Sequence, residues 1–123
     1  MGQFYEKKVR TNMNIYDTAN KLAQELKQSK EYTNYKKAKE ALALKPELKK
    51  KIEEFETARY DAQITAMQTG KNDEEKTKKM QQLYIELYKD TDATKFLEAE
   101  TKFNIILADV NKIIGDAVMD VLK

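Results

Sequence analysis

Apolar residues recur along this chain at intervals of three and four, the spacing that lines up one side of an α-helix. Residues 1–12 carry no such stripe and include Glu6, Lys7, Lys8 and Arg10. They read as a loose N-terminal arm or an added extension, ahead of a single helical domain over 13–123. From Asn14, a candidate cap with Asp17 in the first turn, Ile15, Ala19, Leu22, Ala23 and Leu26 fall on one side of a first helix ending near Ser29. Ser29 can cap a second helix with Tyr32, Tyr35, Ala38 and Leu42 inward, and Lys45-Pro46 ends it because a residue before proline avoids the α region. Pro46 suits the first turn of a third helix running to Gly70, about 24 residues and about 36 Å. A fourth helix starts at Asn72 or Asp73 and presents Met80, Leu83, Tyr84, Leu87 and Tyr88, until Asp90-Thr91-Asp92 breaks and recaps the chain. The fifth is expected from about Ala93 to Ile114. Gly115 should interrupt it, with Ala117, Val118, Val121 and Leu122 forming a short terminal helix or a kinked continuation.

Two of these helices carry more apolar surface than one core needs. On the third, Leu48, Ile52, Phe55, Arg59, Ala62, Ala66 and Thr69 keep to one stripe, while Tyr60, Ile64 and Met67 form a second about 120° away at 100° per residue. On the fifth, Phe96, Ala99, Phe103, Ile106, Val110 and Ile113 repeat at three-four spacing, widened by Leu107 and Ile114. Each could be an ordinary core helix. The doubled stripe predicts instead a subunit or partner interface through Phe55, Arg59, Tyr60, Ile64, Met67, Phe96, Phe103, Ile106, Val110 and Ile113, first of all with a second copy. Arg59 within its stripe should pair with a carboxylate such as Glu100, or lay its stem on the stripe and reach water.

Composition agrees with the pattern. Three Gly and one Pro are too few for the turns of a many-stranded protein, and good helix formers dominate. The expected fold class is all-α, about five helices with two long antiparallel helices in an extended, dimeric bundle. Leu, Ile, Val and Phe number 26 of 123 against 36% charged residues, so the core is modest and association would help it. With no cysteine there is no disulfide, thiolate metal site or thiol switch, which suits a cytoplasmic location. Apolar runs reach only four residues, as in Ile105 to Ala108, far too short for a membrane span.

Chemistry is narrowed by what is missing. Without His or Cys and with Ser29 as the one serine, no triad or Cys-His dyad can form, and Ser29 already has a capping role. The glycines, Gly2, Gly70 and Gly115, make no phosphate-cradling loop. Helical di-metal carboxylate sites use Glu-x-x-His, so Glu53, Glu54, Glu56, Glu98 and Glu100 read as a solvated face. A carboxylate-only Mg²⁺ site has no positive support. The expectation is therefore no enzyme, no cofactor and no metal. Between Lys30 and Lys51 eight Lys stand against three Glu, in a chain of net charge +2. A basic patch of Lys36, Lys37, Lys39, Lys49, Lys50 and Lys51 is the alternative reading, an RNA- or membrane-surface-associated protein. With 21 Lys and two Arg, and with the aromatics on the apolar stripe, a solvated face is favoured and nucleic acid is not the expected partner.

The order of segments carries a resemblance. Met13 to Leu22, Tyr32 and Tyr35 in a short helix, Phe55 to Arg59 in a long one, Phe96 to Phe103 and Val110 to Ile114 together resemble the YlbF/YmcA family, and its YheA-like branch most. That resemblance, over about Met13 to Lys123, implies a helical and commonly dimeric non-enzymatic regulator. It implies links to competence, sporulation, biofilm formation and RNA processing in Gram-positive bacteria. Family members that hold an iron–sulfur cluster do so with cysteines, which this chain lacks, and no catalytic residue carries over. The expected partners are a second copy and another regulatory protein.

Overall fold

A computed structural model describes residues 13–122; the N-terminal arm lies outside the described residues. Five helices follow one another: α1 (Met13–Gln28), α2 (Lys30–Ala43), α3 (Pro46–Thr69), α4 (Glu74–Leu87) and α5 (Thr91–Leu122). No strand occurs among the described residues, and the protein is all-α.

Local chemistry explains most of the boundaries. The Ser29 hydroxyl donates to the Leu26 carbonyl at 2.6 Å and accepts from the Tyr32 amide at 3.1 Å, ending α1 and starting α2 with one side chain. Pro46 opens α3, and Gly70 closes it at φ 73°, donating its amide to the Ala66 carbonyl; that left-handed conformation favours glycine. Asp73 caps α4 by accepting from the Lys76 amide at 3.0 Å. Asp90 caps α5 by accepting from the amides of Asp92 and Ala93 at 2.8 and 3.1 Å. Each such cap stabilises its helix by about 1 kcal/mol.

One expectation fails locally and another is decided. Asn14 is no cap, since the helix already includes Met13 and holds Asn14 in its first turn. Gly115 does not set off a separate terminal helix: of the two expected outcomes the last helix takes the continuation, running for 32 residues, about 48 Å. An interior glycine costs only about 1 kcal/mol, too little by itself to end a long helix.

Compact packing divides the chain after Thr33. The first unit contains α1 and the first turn of α2. Leu22 and Leu26 are half-buried there, whereas Ile15, Ala19 and Ala23, expected to face inward, are exposed. Among the described residues of this unit, α1 has one short turn to pack against. The second unit, from Asn34, contains the core: Leu42 of α2, Ile52 and Phe55 of α3, Leu87 of α4, and Ala93, Phe96 and Leu97 of α5 are buried, with Tyr35, Ala38, Leu48, Met80 and Leu83 packed against them. Fully burying each large apolar side chain contributes about 1.5–3 kcal/mol.

Ion pairs mark helix directions within this second unit. Lys51–Glu86 at 3.4 Å and Asp61–Lys76 at 3.2 Å join α3 and α4 in opposite senses. Lys45–Asp92 at 2.6 Å, at the entrance to α3, and Arg59–Glu100 at 3.9 Å, further along it, set α5 in the same sense as α3. The antiparallel partner of α3 is thus α4. In the Lys45–Asp92 pair, Asp92 holds the Lys45 ammonium above its usual range, and Lys45 holds the Asp92 carboxyl below its own.

Candidate interaction surface

The stripe of α5 changes character along its length. Ala93, Phe96, Leu97 and Ala99 are buried, Phe103, Ile106, Leu107 and Val110 half-buried, and every residue from Asn111 to Leu122 is exposed. Ile113 is 70% exposed, Ile114 54%, Val121 80% and Leu122 77%. Ile114, Ala117, Val118, Val121 and Leu122 are spaced three, one, three and one, so they form one apolar face over three turns. The polar side of this stretch is stapled by Lys112, whose Nζ reaches Asp116 Oδ2 at 2.7 Å. An apolar helix face in water is a feature that soluble monomers seldom carry at length.

The expected interface residues thus divide into three groups. Phe55 and Phe96 belong to the chain's own core. Phe103, Ile106, Val110, Ile64 and Arg59 sit at intermediate exposure, Phe103 with its ring 5.8 Å from that of Tyr35. Tyr60, Met67 and Ile113 stand in solvent. Between α3 and α4, Tyr60, Ile64 and Leu83 line an open groove whose rim carries Lys50, Lys76 and Lys79 along with Glu53, Glu54 and Asp61.

Arg59 combines its two expected arrangements. Its guanidinium lies 5.4 Å from the centre of the Phe55 ring and 3.9 Å from Glu100, with 41% of the side chain exposed. Glu100 is only 13% exposed and also accepts a 3.3 Å hydrogen bond from the Tyr35 hydroxyl. Glu56 lines the same small cavity, with Tyr35, Lys39, Lys49, Glu53 and Glu100. Burial, then the neighbouring Glu100 carboxyl, raises the Glu56 pKa above the usual carboxylate range. Burial and Glu100 likewise raise that of the Tyr35 hydroxyl. Glu56 and Glu100 therefore leave the solvated face expected of the glutamates, whereas Glu53, Glu54 and Glu98 remain on it. The spacing Ile52, Phe55, Glu56, Arg59 places Glu56 beside the core, and that signal was present in the sequence.

The lysines of the basic segment do not share one environment. Lys39 and Lys49 border the Glu56 cavity, Lys50 borders the α3–α4 groove, Lys51 pairs with Glu86, and Lys36 and Lys37 are exposed. Among the described residues no group of three or more acidic, His or Cys side chains could hold a metal ion, and no helix is long and apolar enough to cross a membrane.

Fold and surface define an all-helical protein with a small internal core and an uncovered apolar helix end. The chain belongs to the YlbF/YmcA family: the family described as control of competence regulator ComK, YlbF/YmcA, matches residues 15–119. A UPF0342 protein of Clostridium novyi is 36% identical over 108 residues, spanning 88% of this chain and 95% of that protein. A UPF0342 protein of Symbiobacterium thermophilum is 35% identical over 104 residues, spanning 85% and 93%. Among solved structures, Bacillus subtilis RicA, crystallised in complex with RicF, is similar at 25% identity with a TM-score of 0.54, over 90% of this chain and 98% of that one.

Proposed function

We propose that this protein is a non-enzymatic interaction module of the cytoplasm, a homodimer built on α3 and α5 that docks on another regulatory protein. The observation that carries the reading is the last three turns of α5, where Ile113, Ile114, Val121 and Leu122 stand in water although their spacing is that of a packed helix. RicA, which has a similar fold, was solved in complex with RicF, and that precedent supports protein docking as the role of this architecture. The family's description as a control of competence regulator supports a regulatory output; control of sporulation or biofilm formation and a link to RNA processing enter this reading only through the resemblance to the wider YlbF/YmcA family. The side chains offer no His or Cys for chemistry, and the close carboxyl pair Glu56 and Glu100 is tied into a helix junction with Tyr35 and Arg59. The test is affinity capture from the native host with the wild-type chain and with Val121→Glu. One regulatory protein should be enriched by the wild type, lost at least tenfold with the variant, and rebind when both components are purified. Because the regulatory partner binds the homodimer, loss with Val121→Glu follows whether the end of α5 meets that partner or the second copy, and capture that does not differ between the two chains would contradict the docking role of α5.

A further inference from the structure

We infer that the second copy in this dimer packs its α5 antiparallel against α5 of the first, along the seam Phe103, Leu107, Val110, Ile114, Ala117 and Val121, with the twofold axis passing at the level of Lys112. The inference rests on reading α5 as the docking element and adds which surface meets it and in which direction.

The seam steps by four, three, four, three and four, which keeps all six residues on one line down the helix. It continues the buried stripe of Phe96 and Ala99, and the chain's own packing fades along it, from half-buried Phe103 to a Val121 that is 80% exposed. Charge is absent where a partner helix would lie. At 100° per residue Asp109, Lys112 and Asp116 fall about 120–180° from the seam, where Lys112 and Asp116 satisfy each other, while Lys102 and Asp120 stand about 100° away, at its edge, where a charge can still reach water. The residues bordering the seam are Asn104, Ile106, Asn111 and Val118. Two copies can therefore close on one another without burying a charge, the composition found at interface centres.

Residue volume selects the direction. In the antiparallel register Phe103 meets the partner's Val121, Leu107 meets the partner's Ala117, and Val110 meets the partner's Ile114, each layer pairing a larger side chain with a smaller one. A parallel pair would set Phe103 against the partner's Phe103 and Ala117 against the partner's Ala117, crowding one layer and leaving a void in another. The twofold axis repeats all three layers, so six layers form from one helix. The uncovered residues Ile114, Val118, Val121 and Leu122, at 54, 41, 80 and 77% exposed, leave about 450 Å² per chain, so two copies bury about 900 Å² from these alone, and the half-buried residues of the seam carry the total toward the roughly 1,200 Å² at which stable interfaces begin.

Because the chain has no cysteine, single introduced thiols report contacts without background. L107C and A117C chains are co-expressed with different affinity tags, purified and treated with diamide; V110C with I114C forms a second, independent pair. Circular dichroism confirms that each variant keeps its helices. The expected result is a covalent dimer joining the two different chains at least tenfold faster than either chain links to itself. Self-linking of each variant alone would mean a parallel seam and overturn the inference while leaving the dimer in place. No linking in either pair, with a wild-type mass of two chains, would place the dimer contact elsewhere and overturn it too. A wild-type mass of one chain would remove both the inference and the homodimer on which it rests.

Discussion

Glu56 illustrates what one residue contributes at the junction of α2, α3 and α5. Its carboxyl is partly withdrawn from water and faces Glu100, which already accepts from Tyr35 and lies near Arg59, so a second negative charge is unwelcome and the Glu56 pKa rises in the folded state. A carboxyl with a raised folded pKa holds its proton more tightly folded than unfolded. Its contribution to stability is therefore fully present below the unfolded value of about 4.3 and is lost as pH climbs through the folded value. Lys39 and Lys49 border the cavity and Glu53 adds to the negative field. Glu56→Gln should raise stability at neutral pH by less than about 1 kcal/mol, the partial exposure limiting the gain, and the difference should vanish in acid. Urea melts of both proteins between acidic and neutral pH would check this. A variant less stable at neutral pH would mean that the charged carboxylate is favoured by Arg59. The Arg59–Glu100 contact was legible in the sequence because both interrupt apolar stripes. The inward turn of Glu56 was passed over because five glutamates in a lysine-rich chain read as a solvated face.

At the scale of the helix, punctuation was the legible part. Ser29, Pro46, Gly70, Asp73 and Asp90 act on backbone groups a few residues away, so their effects are encoded locally and the structure places boundaries where they stand. Which face of a helix is covered depends on neighbours far away in sequence, and periodicity alone cannot supply that. Ile15, Ala19 and Ala23 keep the spacing of a buried stripe and are exposed, while Leu97, one step off the α5 stripe, is buried. Gly115 reads as an interruption, yet a single interior glycine costs only about 1 kcal/mol and no proline follows it to force a stop, so the helix continues through it. A Cβ at Gly115 would meet nothing within 4 Å. Gly115→Ala should therefore stabilise the protein by about 0.5–1 kcal/mol, read as a higher urea midpoint at unchanged slope. A loss of stability would mean that another chain packs closely against that position.

At the scale of the molecule, the internal core among the described residues is small and lies in the second unit, and the longest helix extends its apolar face beyond that core. A sequence can announce surplus apolar surface, as the double stripe of α3 and the long stripe of α5 do, without saying which side chains are surplus. Phe55 and Phe96 turned out to be the chain's own core, and the surplus sits at Tyr60, Met67 and the end of α5. Those residues are what a second copy or a regulatory partner has available to cover. Light scattering coupled to gel filtration, on the unmodified protein at low micromolar concentration, tests this most directly. The account predicts a mass near 29 kDa, twice the 14.4 kDa of one chain. It predicts that Ile114→Glu, at a site exposed within the single chain, reduces the mass to one chain while leaving the helices intact, because it sets a charge in the seam. A wild-type mass of 14.4 kDa would contradict it.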